Sequence, residues 1–383
     1  MEYIYLDHAA TTPVATDVKE AMEPLYKEAF GNPSSIHALG RNARFYVDEA
    51  RRTIAREIHA QDDEIIFTSS GTEANNLAII GVAYANKHKG NHLITTNQEH
   101  KSVLNSMKFL EENGFRVTYL PVNQLGEISA KSVQDSLTDQ TILVSVMHAN
   151  NETGVMQPIE EISADLKEHQ AYFHTDVVQT FGLYTLYDDQ PVADLMSMSA
   201  HKINGPKGVG CLYVNKDVQI SPILFGGDQE RMRRSGTEDV PHITGFGKSV
   251  ERISKDKEQA RDFYNVLKNT LLQALNDYEV TYEVNGTLEQ TSPTIVNLYF
   301  PTISADILLT NLDMEKIAAA SGSACQAGSF EPSYVLEAMY GQDSERARQS
   351  IRFSFGENNT EEEMKRTAKI LSEIIIRLKG MKN

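Results

Sequence analysis

The 383-residue sequence predicts an α/β protein: a large domain built on a mainly parallel, mixed sheet, plus a smaller α+β C-terminal domain. Three observations carry this expectation. From about residue 62 to 214, short apolar runs alternate with stretches of helical period. Strands alternating with helices imply parallel pairing, with helices on both faces of the sheet. After about residue 240 the alternation gives way to one long helical stretch and a few separated apolar runs.

The predicted strands of the large domain are "EIIFT", "HLITT", "RVTYLPV", "TILVSVMHA", "AYFHTD", "ADLMSMS" and "GVGCLYV". Between them, "KSVLNSMKFLEENG" and "IEEISADLKEH" place apolar residues at helical spacing. In the second part, the helical "KDKEQARDFYNVLKNTLLQAL" leads to "PTIVNLYF", "KIAAASGSAC" and "SIRFSF". The last helix opens on a capping box, Thr360 to Glu363, followed by Met364, Leu371, Ile374 and Leu378 on one face. The domains are expected at 15–250 and at 251–383, the second joined by 1–14.

Asp plus Glu (53) outnumber Lys plus Arg (36), for a net charge of −17, which opposes a large nucleic-acid or anionic-membrane surface. No apolar run reaches membrane-spanning length, and the first residues lack the pattern of a signal peptide. Two cysteines form no disulfide framework and suit a reducing, cytoplasmic compartment. No Cys/His cluster has metal-ligand spacing, so no metal is expected.

Four features fall at predicted strand ends, where α/β sheets bind ligands. In "FTSSGTEANN", Gly71 and Thr72 open a helix whose free N–H groups favour a phosphate. In "HTDVVQ", Asp176 and Gln179 follow a strand, and a carboxylate there can hold a proton on a heterocyclic nitrogen. His100, in "NQEHKS", offers a flat ring. Ser199, His201 and Lys202, in "SAHKINGPKG", place two donors beside an amine. Each has an ordinary reading as cap, turn or core residue. Together they describe a pyridoxal 5'-phosphate site, in which lysine binds the cofactor's aldehyde and burial favours the neutral amine needed for exchange.

With these motifs the chain resembles the NifS/IscS-like cysteine desulfurases of the class-V aminotransferase family, fold-type I enzymes dependent on pyridoxal phosphate. The likeness runs through "YLDHAATTP", "GNPSSIH", "FTSSGTEANN", "EHKSV", "NNETG", "HTDVVQ", "SAHKINGPKG", "RRSGTED", "SGSACQAGS" and "IRFSFG". It implies that Lys202 carries the cofactor, His100 stacks on its ring, and Asp176 faces its nitrogen. Gln179 would reach the phenolic oxygen, and Gly71, Thr72, Ser199 and His201 the phosphate. Asn151 would sit beside cofactor and substrate, and Arg352 would clamp the substrate carboxylate. Thr237 would reach the partner's phosphate across a homodimer interface. Arg233 and Arg234 receive no role.

The cysteines separate. Cys211 lies in the apolar "VGCLYV" and reads as buried and inert, whereas Cys325 lies in a run of Gly, Ser and Ala. By the resemblance, Cys325 takes sulfur from L-cysteine as a persulfide and L-alanine leaves. His100, with a near-neutral ordinary pKa, is a candidate for proton transfer. Rival readings are a selenocysteine lyase or aminotransferase on the same site, or a non-catalytic binding subunit. Loss of the lysine, aspartate or loop cysteine would favour the subunit, and all three are present. The acceptor is expected to be a protein, either a tRNA-thiolating enzyme or an iron–sulfur scaffold. Asp228, "CQAGS", and the short stretch after the last helix depart from the iron–sulfur branch and favour the first.

Overall fold

The computed structural model describes residues 3–253, 255–322 and 331–380. A short first strand, β1 (Ile4–Tyr5), precedes the seven strands of the main sheet: β2 (Ile65–Thr68), β3 (His92–Thr96), β4 (Arg116–Leu120), β5 (Thr141–Ser145), β6 (Tyr172–Asp176), β7 (Leu195–Ser199) and β8 (Gly210–Val214). Their order is β2-β8-β7-β6-β5-β3-β4. Only β8 runs antiparallel to its neighbours, because a strand returning directly from β7 must reverse. The other pairs are parallel.

All seven apolar runs read as strands are strands of this sheet. Period-two alternation divides their side chains between two cores. Ile65, Phe67, Met196, Met198, Cys211 and Tyr213 face the helices Ala38–Glu57 and Val240–Glu251. Ile66, Leu93, Leu143, Leu195, Leu212 and Val214 face Gly71–Ala85 and Lys101–Glu112. Both faces are thus covered, as continuous apolar strands require. Gly210 is required where β8 passes under the start of helix Gly71–Ala85. A Cβ there would lie 2.6 Å from the Ser70 carbonyl carbon and 2.9 Å from the Gly71 nitrogen.

A second sheet carries β9 (Glu283–Val284), β10 (Ile295–Tyr299) and, after β11 (Ile317–Ala318), the strand β12 (Ser350–Ser354). Its order is β12-β10-β9, all antiparallel, while β11 pairs in parallel with β1. Helices Lys257–Asp277 and Glu361–Gly380 bury Leu267, Leu271, Leu275, Met364, Leu371 and Ile374 in a separate core that also holds Ile4 and Leu6. The predicted capping box forms: Thr360 N–H donates to Glu363 (2.9 Å) and Glu363 N–H to Thr360 Oγ1 (3.3 Å). Past β1 the chain crosses to the main sheet, where Thr12 N–H donates to the His201 carbonyl at 2.9 Å.

Candidate active site

The carboxyl ends of β2, β3, β5, β6 and β7 share one edge of the main sheet. A turn or helix cap after β2, β3, β6 and β7 directly delivers predicted site residues, while Asn151 comes later, in the loop that follows β5. After β2, Ser70 caps helix Gly71–Ala85 by accepting from Glu73 N–H at 3.2 Å. The first N–H groups of that helix, Gly71 and Thr72 included, have no carbonyl of their own helix to bond. After β3, His100 is itself the cap of helix Lys101–Glu112. Asp176 ends β6, and Ser199 ends β7 before the 3-10 turn Ala200–Lys202. Gly71 sits close against this last turn, since a Cβ on it would lie 3.5 Å from Ser199 Cβ.

The N-terminal segment closes over Lys202. The Lys202 ammonium donates to the Ala9 carbonyl and, at 3.0 Å, to that of Ala10. Gln179 Nε2 donates to the same Ala9 carbonyl at 3.1 Å. His201 Nδ1 lies 3.2 Å from Thr11 Oγ1. Burial, with Lys202 and Lys207 adding repulsion, pushes His201 down to about 4, so it is neutral at pH 7. A cleft of about 580 Å³ adjoins Lys202 and Gln179, with His8, Asn204, Tyr264 and Gly356 among its walls.

A buried polar chain joins Asp176 to His100. Asn75 Nδ2 donates to Asp176 Oδ2 and to Ser102 Oγ, both at 2.8 Å. Ser102 Oγ lies 2.7 Å from His100 Nδ1, which also accepts from Ser102 N–H at 3.2 Å. The other Asp176 oxygen accepts from Val178 N–H at 3.0 Å. His100 is shifted below its ordinary value, mainly by burial and further by Lys202 and Lys101, with Asp176 opposing.

Arg352, on β12, is a buried guanidinium. Its Nη2 pairs with Asp7 at 2.7 Å and its Nη1 donates to the Asn151 carbonyl at 2.8 Å. Its Nε, the Asn151 amide oxygen and the Ser199 hydroxyl are buried with no hydrogen-bond partner among the described residues. An unpaired buried polar group is costly, and these three, from the end of β7, the turn at Asn151 and the middle of β12, suit a site that takes a polar ligand. Glu152, next to Asn151, accepts from Ser333, the cap of helix Tyr334–Tyr340.

Lys202, Asp176, His100, Ser199, His201, Gly71, Thr72 and Gln179 therefore sit at one sheet edge, with Asn151 and Arg352 bonded to each other beside the N-terminal segment. Thr237 does not join them: it is exposed after Gly236 (φ 117°) and takes part in none of these hydrogen bonds. Cys211 is fully buried in β8, and burial pushes its thiol far up, so it is inert. Cys325 lies outside the described residues. Arg234, given no role by the sequence, pairs with Glu73 at 2.7 Å in the first turn of helix Gly71–Ala85. Asn75, Ser102 and Asp7 were missed altogether. Asn75 lies in the quoted motif "FTSSGTEANN", Ser102 in "EHKSV" and Asp7 in "YLDHAATTP", but nothing local distinguishes them from ordinary helix and turn residues.

Residues 4–367 match the class-V aminotransferase family. The chain belongs to that family. Its relatives fall in the NifS/IscS-like group, and the members depend on pyridoxal phosphate. The chain is 44% identical to the cysteine desulfurase IscS of Dictyoglomus turgidum, covering 98% of this chain and 95% of that one. Among solved structures it resembles a NifS-like protein (TM-score 0.91, 34% identity, 98% and 99% of the two chains). It also resembles SspA in complex with cysteine (TM-score 0.81, 37% identity, 92% and 98%). The donor set fits the cofactor: open helix N–H groups and the unpartnered Ser199 hydroxyl for a phosphate, Asp176 for a ring nitrogen, and Lys202 for an aldehyde.

Proposed function

We propose that the protein converts L-cysteine to L-alanine and passes the sulfur to Cys325. The substrate's C–S bond breaks, an S–S bond forms on the Cys325 sulfur, and the substrate's β-carbon gains a proton. The observation that carries this reading is the meeting of Lys202, Asp176 and His100 at one sheet edge.

Bound at Lys202, pyridoxal phosphate supplies an electron sink for the carbanion left when the substrate loses its α-proton. The chain's residues supply the rest. Gly71, Thr72, Ser199 and His201 hold the phosphate, with Thr237 of a second copy completing it in a homodimer. Asp176 keeps a proton on the ring nitrogen, and Gln179 supports the phenolic oxygen. Arg352 takes the substrate carboxylate, steadied by Asp7 and Asn151, and His100 moves a proton through its ring. The separate apolar cores support a division into 15–250 and 251–383 with 1–14.

The acceptor is a protein, and a tRNA-thiolating enzyme is preferred over an iron–sulfur scaffold. The net charge of −17 supports contact with a protein rather than with RNA itself. No helix of the described residues is long and apolar enough to cross a membrane. With only two cysteines in the sequence, the reading places the enzyme in the cytoplasm. Alanine formation from L-cysteine by the cofactor-loaded protein, with sulfur-35 followed to each candidate acceptor, tests activity and acceptor together. No alanine refutes the activity. Labelling of a scaffold alone refutes the preferred acceptor.

A further inference from the structure

The chain from Asp176 to His100 fixes the direction of every hydrogen bond along it. Asp176 Oδ2 accepts, so the Asn75 atom facing it is the amide nitrogen, whose second hydrogen goes to Ser102 Oγ. Ser102 Oγ then has one hydrogen to give, and His100 Nδ1 lies 2.7 Å away. The Ser102 backbone N–H, which can only donate, points to the same Nδ1 at 3.2 Å. Two donors converge on Nδ1, so the neutral ring carries its proton on Nε2. Asn75 is 1% exposed and Ser102 7%, which leaves little room for water to replace either link.

We propose that Ser102 and Asn75 are positioning residues for the desulfuration reaction: together they lock His100 as the Nε2–H tautomer and tie it to the Asp176 carboxylate. The inference rests on the proposed function for its catalytic meaning but not for its geometry. Asp176 faces the ring-nitrogen position and His100 supplies the mobile proton, so the two ends of one hydrogen-bonded chain serve one reaction. The charged groups acting on His100 are Asp176 from β6, Lys202 from the turn after β7 and Lys101 from its own helix, while helix Gly71–Ala85 presents the neutral Asn75.

The sign of the effect follows from where the bonds end. A hydrogen bond donated into Nδ1 exists only while that atom is unprotonated, so the lock favours the neutral ring. Removing the Ser102 hydroxyl releases about one hydrogen bond and raises the His100 midpoint by about half to one pH unit. Ser102→Thr keeps the hydroxyl and the wild-type midpoint. Asn75→Ala frees the Ser102 hydroxyl to turn away from Nδ1 and shifts the midpoint in the same direction.

The experiment is a long-range proton–nitrogen NMR titration of histidine-labelled, cofactor-loaded protein, with the His100 signals assigned by their loss in His100→Gln. The expected result is an Nε2–H ring near neutral pH in wild type and Ser102→Thr, and a raised midpoint in Ser102→Ala and Asn75→Ala. An Nδ1–H ring in the wild type, or wild-type titration of Ser102→Ala, overturns the proposal. Wild-type titration of Asn75→Ala overturns its share. Should Asn75→Ala not fold, the Ser102 pair still decides. These spectra read the ring without turnover. A protein that makes no alanine yet titrates as described would lose the proposed function, and with it the catalytic meaning of the lock, but keep the Nε2–H tautomer and its two supporting residues.

Discussion

Glu230→Ala should be among the most destabilising single changes in the large domain. The Glu230 carboxylate receives Arg51 Nη1 at 2.8 Å and Nη2 at 2.7 Å, plus Phe67 N–H at 3.1 Å, and both charged side chains are nearly closed to water. Truncation strands the Arg51 charge and leaves the β2 amide unpaired. Breaking a buried pair in this way costs about 3–5 kcal/mol. The exposed Lys131–Asp135 pair has a similar 2.8 Å contact, but its side chains are 74% and 60% exposed. Asp135→Ala should therefore cost below about 0.5 kcal/mol. Urea unfolding followed by far-UV circular dichroism separates the two. At a slope near 3 kcal/mol per molar, the Glu230→Ala midpoint falls by roughly 1 M and the Asp135→Ala midpoint hardly moves. Equal shifts for the two variants would refute the reasoning that burial, and not contact distance, sets the cost. The pair also pins a stretch where Glu230, Arg231 and Met232 have φ of 45°, 56° and 65°, a left-handed run that non-glycine residues adopt only under constraint.

Lys202→Ala should remove the visible absorbance of bound cofactor and all turnover while leaving the circular dichroism spectrum unchanged; retained desulfuration would sink the lysine's role. Asp7→Asn should raise the KM for L-cysteine several-fold with little change in kcat, because Asp7 orients Arg352 at 2.7 Å; steady-state kinetics showing the reverse split would contradict this. Cys211 should resist alkylation until the protein unfolds, and Cys211→Ser should stay active, as its burial and raised pKa imply; rapid labelling of native Cys211 would count against it. Stability should fall as pH drops below about 6.5. His8, His92, His148, His174 and His201 are each held down to about 4, so between 6.5 and 4 they take up protons in the unfolded chain but not in the folded one. Together they outweigh Glu99, which is raised to about 8 and acts in the opposite sense. A flat thermal midpoint across that window would contradict the assignment.

The strands of the main sheet were legible because each is a short run of strand-forming residues bounded by turn residues. Burial between two helical layers makes all but the half-exposed edge strand β4 nearly continuous in apolar and small residues. Their order was not legible. Nothing in "GVGCLYV" says that it inserts between "EIIFT" and "ADLMSMS", since that choice depends on a reversal after Lys202 and on Gly210 passing under Ser70. The site was legible where chemistry is rare: a lysine, a carboxylate and a histidine at strand ends. It was illegible where function rests on ordinary residues joined by the fold. Asp7 and Arg352 are 345 positions apart, Arg51 and Glu230 are 179 apart, and Asn75 meets Asp176 across 101. Among its described residues, "KIAAASGSAC" forms the two-residue β11, which pairs with β1 from the other end of the chain, and a single bridge from Ala320 to Arg352 on β12, neither of which the local sequence announces.

The account's central claim is that sulfur from L-cysteine arrives on Cys325. Peptide mapping by mass spectrometry, after brief exposure of the cofactor-loaded protein to L-cysteine and trapping of persulfides, tests it most directly. The predicted result is one added sulfur on the peptide bearing Cys325, none on that bearing Cys211, and none on either in Lys202→Ala. Added sulfur on Cys211, or alanine released with no sulfur on Cys325, would contradict it.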